Sequence, residues 1–196
     1  GQIPMYLNIN KKGSVLKYLA GSLILTLSFF NLAHAQTKSA WDRGSSLLAL
    51  GLPALALGST LQKADTTGTE QLALSVGTAY LSSLVLKGFV SSERPDHSDN
   101  QSFPSGHAAI AFSAVSFLED RYPENFQTYK YYLYGAATLT ALSRVKADKH
   151  RWSDVVAGGA LGWVSAKIWT RPQYGGQFSL QSKPGSLSIL WEKPLQ

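Results

Sequence analysis

Three short stretches of this chain place cations and imidazoles at spacings that could handle a phosphate group. In the first, Lys87 is followed after six residues by Arg94 and Pro95. Lysine supplies a compact charge and arginine a planar fork of donors, and two such cations near one another suit a dianionic phosphate. Alone the pair says little, because a lysine at a helix end ordinarily complements the local dipole in solvent. In the second, Pro104-Ser105-Gly106-His107 opens an apolar segment. Ser105 is a good N-cap, which leaves the N–H groups of Gly106 and His107 as helix-terminal donors for an anion. Gly106 lets a ligand approach the backbone, and His107 can hold or give a proton near neutral pH. A plain capped helix start with a surface histidine would read the same way. In the third, Ser143-Arg144 is followed by His150 and then Asp154. If Ser153 caps the next helix, His150 falls just before it and Asp154 in its first turn, within reach of the imidazole. A carboxylate bonded to one ring nitrogen fixes the tautomer and leaves the other nitrogen's lone pair free to attack. Arg144 adds a further fork for phosphate, and a surface His–Asp pair at a helix start is the plainer alternative.

All three stretches lie at the edges of apolar segments of helical length. These are Ser45–Leu61, Glu70–Lys87, Ser105–Asp120, Tyr129–Ser143 and Ser153–Thr170. Leucine and alanine outnumber β-branched residues in them, which favours helix. Pro53 is expected to kink or break the first early, and Thr66-Thr67-Gly68-Thr69 to supply a turn and cap before the second. Gly158, Gly159 and Gly162 read as a surface for close helix packing rather than a hinge. The segments are nearly uncharged on every side, so they are central in a bundle or in contact with lipid. Their uncharged runs fall mostly short of the roughly 18 residues that mark a membrane span. The expectation is an all-α fold: a compact bundle of five or six helices, resting on or partly sunk in a membrane, with a multi-span protein as the alternative. Gln177–Ser182 and Leu187–Trp191 alternate around Lys183-Pro184-Gly185-Ser186, the pattern of a short C-terminal β-hairpin.

Composition narrows the classes further. With 196 residues and 44% apolar content the chain reads as one globular domain with a modest extension. The absence of cysteine excludes disulfides, thiolate metal sites and a thiol nucleophile. The net charge is +6, but Lys11, Lys12 and Lys17 stand in the first 35 residues without an acid, so the rest is only mildly basic. No basic stripe with interleaved aromatics appears, and nucleic acid is not indicated. Those lysines, the apolar run from Tyr18 to Phe30 and Ala33-His34-Ala35 form the three parts of an export signal. The expected division is a signal over 1–35 (with 1–4 ahead of Met5), a helical domain over 36–176 and a tail over 177–196, with an uncleaved anchor as the competing reading of the first part. Export would place the domain in a bacterial periplasm, in possible contact with the inner membrane. His97 with Asp96 and Asp99 could pass for metal ligands, but their polar setting reads as a solvated or substrate loop over 91–102. Tyr129, Tyr131, Tyr132 and Tyr134 fit either a membrane-interface belt or core packing.

Taken together, Lys87…Arg94-Pro95, Pro104-Ser105-Gly106-His107 and Ser143-Arg144…His150…Asp154 resemble the signature of the type 2 phosphatidic acid phosphatase superfamily, in identity and in spacing. That superfamily also holds bacterial non-specific acid phosphatases and vanadium-dependent haloperoxidases. The resemblance covers Lys87 to Asp154 by motif and about 45–170 by helix pattern. It implies a helical bundle with the site at one end. It implies further that His150 attacks phosphorus and becomes phosphorylated, that Asp154 orients it, and that His107 protonates the leaving oxygen. Lys87, Arg94, Ser105, Gly106 and Arg144 would hold the phosphate oxygens. No metal and no other cofactor is implied, since lysine and arginine supply the positive charge. The expected activity is hydrolysis of phosphate monoesters or pyrophosphates, with phosphorylated lipids favoured as substrates because the flanking helices are so apolar. A soluble, broad acid phosphatase, a vanadate-dependent haloperoxidase and a non-catalytic phosphate binder are the alternatives. The presence of both His107 and His150 argues against the last, since binding alone would need only the cations.

Overall fold

Long leucine- and alanine-rich runs, punctuated by proline and by polar caps, become five helices in the computed structural model. It describes residues 38–173 and, as backbone, 177–183 and 186–192. The helices are α1 (Lys38–Gln62), α2 (Thr66–Phe89), α3 (Gly106–Arg121), α4 (Pro123–Lys146) and α5 (Trp152–Trp169). The expected export segment lies outside the described residues. Gln177–Lys183 and Ser186–Glu192 run antiparallel, and the hairpin predicted there stays an expectation.

Three local readings of the sequence are corrected. Pro53 sits inside α1 rather than ending it. Buried Ala49, Leu52 and Ala56 flank it, so tertiary packing outweighs a local penalty of about 3 kcal/mol. Thr66–Thr69 form the first turn of α2 instead of preceding it, because Asp65 is the cap and its carboxylate accepts from Gly68 N–H at 2.9 Å. Likewise α5 begins at Trp152, so Ser153 lies within the helix and does not cap it.

Side-chain contacts fix the directions of the helices. Ser46 near the start of α1 meets His107 at the start of α3. Ser75 in the first half of α2 meets Thr170 beyond the end of α5. Asp65, ahead of α2, meets Arg121 at the end of α3. The starts of α1, α3 and α5 and the ends of α2 and α4 therefore gather at one end of the bundle. α3 is the central helix and contacts the other four. It is buried on nearly all sides, from Ala108, Ala109 and Ala111 through Val115 and Phe117, which explains why its pattern shows no apolar stripe.

Small residues let α5 lie close against α3. A Cβ on Gly162 would meet the Ala109 carbonyl at 2.2 Å, and one on Gly158 the Ser105 carbonyl at 2.3 Å. The packing reading of these glycines holds. The outward faces remain apolar, with Leu50 and Leu61 on α1, Leu81 and Val85 on α2, and Val156 and Ile168 on α5 all exposed. Ala40–Gln62 and Thr66–Phe89 are long and apolar enough to cross a membrane. The tyrosine group divides: Tyr129 and Tyr134 pack on the core, whereas Tyr131 and Tyr132 are exposed.

Candidate active site

Three helix starts at one end of the bundle bring three positive dipole ends together, and this is where the predicted residues converge. Ser105 caps α3, with Ala108 N–H directed at its Oγ at 3.5 Å. The N–H groups of Gly106 and His107 then belong to the first turn, where helices offer no internal acceptor. The Ser105 N–H donates to the Asp154 carbonyl at 2.9 Å, which locks the start of α3 to the start of α5.

The cations come from three elements. Lys87, in the last turn of α2, donates to the carbonyls of Gln101 at 2.6 Å and Ser102 at 3.2 Å. Arg94 is aimed by Asp99 at 2.6 Å and also reaches the Lys149 carbonyl at 3.3 Å. Arg144, at the end of α4, is buried; its Nη1 donates to Asp42 and to Ser45 Oγ. Its Nε, also buried, has no partner among the described residues, a donor left over for an acceptor such as a phosphate oxygen.

His150 and Asp154 are both buried, but they do not bond directly as predicted. Nδ1 of His150 stands 3.7 Å from Asp154 Oδ2, and Ser102 Oγ bridges the gap. Ser102 donates to Asp154 Oδ2 and lies 3.5 Å from His150 Nδ1. Asp154 Oδ2 also accepts from Arg151 N–H at 2.8 Å. The carboxylate is thus fixed at its helix start, Nδ1 faces it through Ser102, and Nε2 is the nitrogen left for chemistry.

Charge states follow from the surroundings. Burial pushes the His107 imidazole down to about 4; Arg144, Arg94 and Lys87 add to that push and Asp42 opposes it. Burial, then Arg144, Lys87 and Arg94, hold His150 well below its ordinary value against the pull of Asp154. For Asp154 burial works the other way, yet the hydrogen bonds from Ser102 and Arg151 keep its carboxyl below the usual carboxylate range. At pH 7 both imidazoles are neutral and Asp154 is charged.

All eight predicted site residues lie at this end. Sequence reasoning missed Ser102, Asp42, Ser45 and Ser46. Asp42 was the one legible signal, an acid at the edge of the first apolar run. The loop over 91–102 behaves as a strap rather than a metal site. Asp96 pairs with Lys149, Asp99 with Arg94, and His97 with Glu93, so each of these groups has its own partner. Among the described residues no cluster suited to a metal ion occurs. An apolar cavity of about 580 Å³ opens at the opposite end, between α1, α3 and α4, lined by Leu55, Leu118, Phe126 and Leu133 and by none of the site residues.

Comparison with known proteins bears on the family and the fold. The model of the PAP2 superfamily matches residues 69–175. A candidate phosphatidate phosphatase of Drosophila melanogaster is 33% identical over 131 residues, 62% of this chain and 32% of that protein. The lipid A 1-phosphatase of Porphyromonas gingivalis is 33% identical over 98 residues, 46% of this chain and 22% of that protein. The chain thus spans a third or less of the length of these curated relatives. Among solved structures, LpxE of Aquifex aeolicus superposes with a TM-score of 0.50 over 74% of this chain and 84% of that one. At 22% identity that is a likeness of fold.

Proposed function

The chain belongs to the PAP2 superfamily, and on that premise we propose that it is a phosphatase acting on phosphorylated lipids through a phosphohistidine on His150. One observation carries the reading: at the end of the bundle that holds His107 and His150, the buried Nε of Arg144 has no partner among the described residues and is a donor left for an acceptor such as a phosphate oxygen.

Nε2 of His150 attacks phosphorus while the bond to the leaving oxygen breaks. Lys87, Arg94, Arg144 and the helix-terminal N–H groups of Gly106 and His107 take up the charge on the phosphate oxygens, beside the cap at Ser105. Asp154, through Ser102, keeps Nδ1 protonated and stabilises the positive charge that forms on the ring. A bound phosphate dianion offsets the three cations and raises the His107 pKa, so His107 enters as imidazolium and gives its proton to the leaving oxygen. In the second half water attacks the phosphohistidine, His107 accepts its proton, and phosphate leaves.

The lipid assignment is supported by the lipid phosphates that the relatives are named for and by the exposed apolar faces of α1, α2 and α5, which fit a membrane surface. The periplasmic side of the inner membrane is the proposed place, resting on the export pattern in the first 35 residues. The test is phosphate release by the full chain from detergent-dispersed phosphatidic acid and from p-nitrophenyl phosphate, with chelator present. Release from the lipid that survives chelator and is blocked by vanadate is expected. A preference for the small ester would favour a broad acid phosphatase, and no release from either would sink the reading.

A further inference from the structure

Outside the segment that the family model covers, α1 sends its first turns into the site. Asp42 and Ser46 are one turn apart and therefore share a face. Asp42 and Ser45 hold the Arg144 guanidinium, which ties this face to the phosphate-binding end. Ser46 Oγ lies 3.1 Å from Nε2 of His107. The same oxygen lies 3.1 Å from the Asp42 carbonyl. A hydroxyl has one proton, and a carbonyl can only accept. With the Ser46 proton given to the Asp42 carbonyl, which also accepts from Ser45 Oγ at 2.7 Å, the bond to the ring runs from Nε2–H to Ser46 Oγ.

We propose that Ser46 is a positioning residue for His107: it keeps the ring proton on Nε2 and holds that nitrogen turned toward the leaving oxygen. The role rests on the reading of His107 as the acid in phosphate ester cleavage. The charged groups around the ring are Lys87 from α2, Arg94 from the loop, Arg144 from α4 and Asp42 from α1. None of them bonds to it, so Ser46 supplies the directional contact. As charge develops on the leaving oxygen, that oxygen becomes the better acceptor and the Nε2–H passes to it. The imidazolium is then left neutral with its proton on Nδ1, and water returns a proton to Nε2 in the second half.

The experiment compares Ser46→Ala and Ser46→Thr with the wild-type full chain on two soluble substrates, p-nitrophenyl phosphate and hexyl phosphate. Protonation matters little for nitrophenolate and much for an alkoxide, so Ser46→Ala is expected to lower kcat about tenfold on hexyl phosphate and by less than about twofold on p-nitrophenyl phosphate. KM should hold, and Ser46→Thr, which keeps the hydroxyl, should recover most of the loss. An equal loss on both substrates would show a packing role and overturn the proposal, as would no loss on either. Nitrogen-15 NMR of labelled histidine gives a readout that needs no turnover. His107 should carry its proton on Nε2 in the wild-type protein and lose that preference in Ser46→Ala; a wild-type proton on Nδ1 overturns the placement. A wild-type protein that releases no phosphate overturns the phosphatase reading, and with it the role, while the tautomer still tests the geometry.

Discussion

The two ends of this bundle use similar residues to opposite purposes. At the far end Arg121 faces Asp65 through two hydrogen bonds, at 2.7 and 2.5 Å, with both side chains buried. Tyr122 and Gly68 N–H complete the carboxylate, and the remaining guanidinium nitrogen reaches the Arg171 carbonyl at 2.9 Å. Charge there is matched one for one and every partner is internal. At the other end Lys87, Arg94 and Arg144 surround the buried His150 and the half-buried His107, and the buried Nε of Arg144 has no partner among the described residues. Charge satisfied inside the fold builds a staple, whereas a buried donor without a partner among the described residues leaves room for an outside acceptor, at some cost to stability.

If that contrast holds, substitutions at the two ends should separate activity from stability. His150→Ala should abolish turnover on every ester, since no phosphoenzyme can form, while the thermal midpoint stays the same or rises. Residual turnover close to wild type would remove His150 from the chemistry. Arg121→Met should do the reverse. It leaves Asp65 buried without its cation and is expected to cost about 3–5 kcal/mol in denaturant unfolding, with kcat per folded molecule unchanged. A variant as stable as wild type would show that the pair is no staple.

Acid should also tell the ends apart. A histidine whose folded pKa lies below its unfolded value of about 6.5 disfavours the proton that the unfolded chain accepts. His107, pushed down to about 4, therefore costs stability progressively as pH falls from about 6.5 toward 4, and His150 acts in the same direction. Asp65 is held below 3.8, chiefly by Arg121 against the effect of burial. Its contribution is complete above about 3.8 and is lost only as pH falls through its lower folded value. Unfolding followed between pH 7 and 4.5 should show a decline that His107→Asn reduces. A decline that begins only below pH 4 would place the sensitivity in Asp65 instead.

How far the sequence could be read differs between these same regions. The cations and histidines were legible because scarce residue types stand at fixed spacings beside apolar runs. The helices were legible because leucine and alanine fill them. What escaped was long-range pairing by common residue types. Ser46 meets His107 across 61 positions, and Asp65 meets Arg121 across 56. Neither partner is unusual in its own neighbourhood. Pro53 does not break its helix for a related reason, since its local preference lost to the packing of Ala49, Leu52 and Ala56. The predicted His150–Asp154 contact was right in neighbourhood and wrong in detail, because one turn of helix brings the groups near but only the fold inserts Ser102 between them.

That insertion yields the smallest of the expected effects. Ser102 is fully buried and gives its proton to Asp154, so its oxygen can only accept from His150 Nδ1. In Ser102→Ala the carboxylate keeps Arg151 N–H, and the imidazole loses the acceptor that fixes its tautomer. Losing one hydrogen bond of about 1.4 kcal/mol should lower kcat about tenfold. On the proposed mechanism phosphorylation and dephosphorylation both pass through His150, so the loss should be the same for p-nitrophenyl and alkyl phosphates. That equality would separate Ser102, beside the proposed nucleophile, from Ser46, beside the proposed acid. A loss confined to the alkyl phosphate would mean that Ser102 acts on the leaving-group side and that Asp154 holds His150 by direct approach.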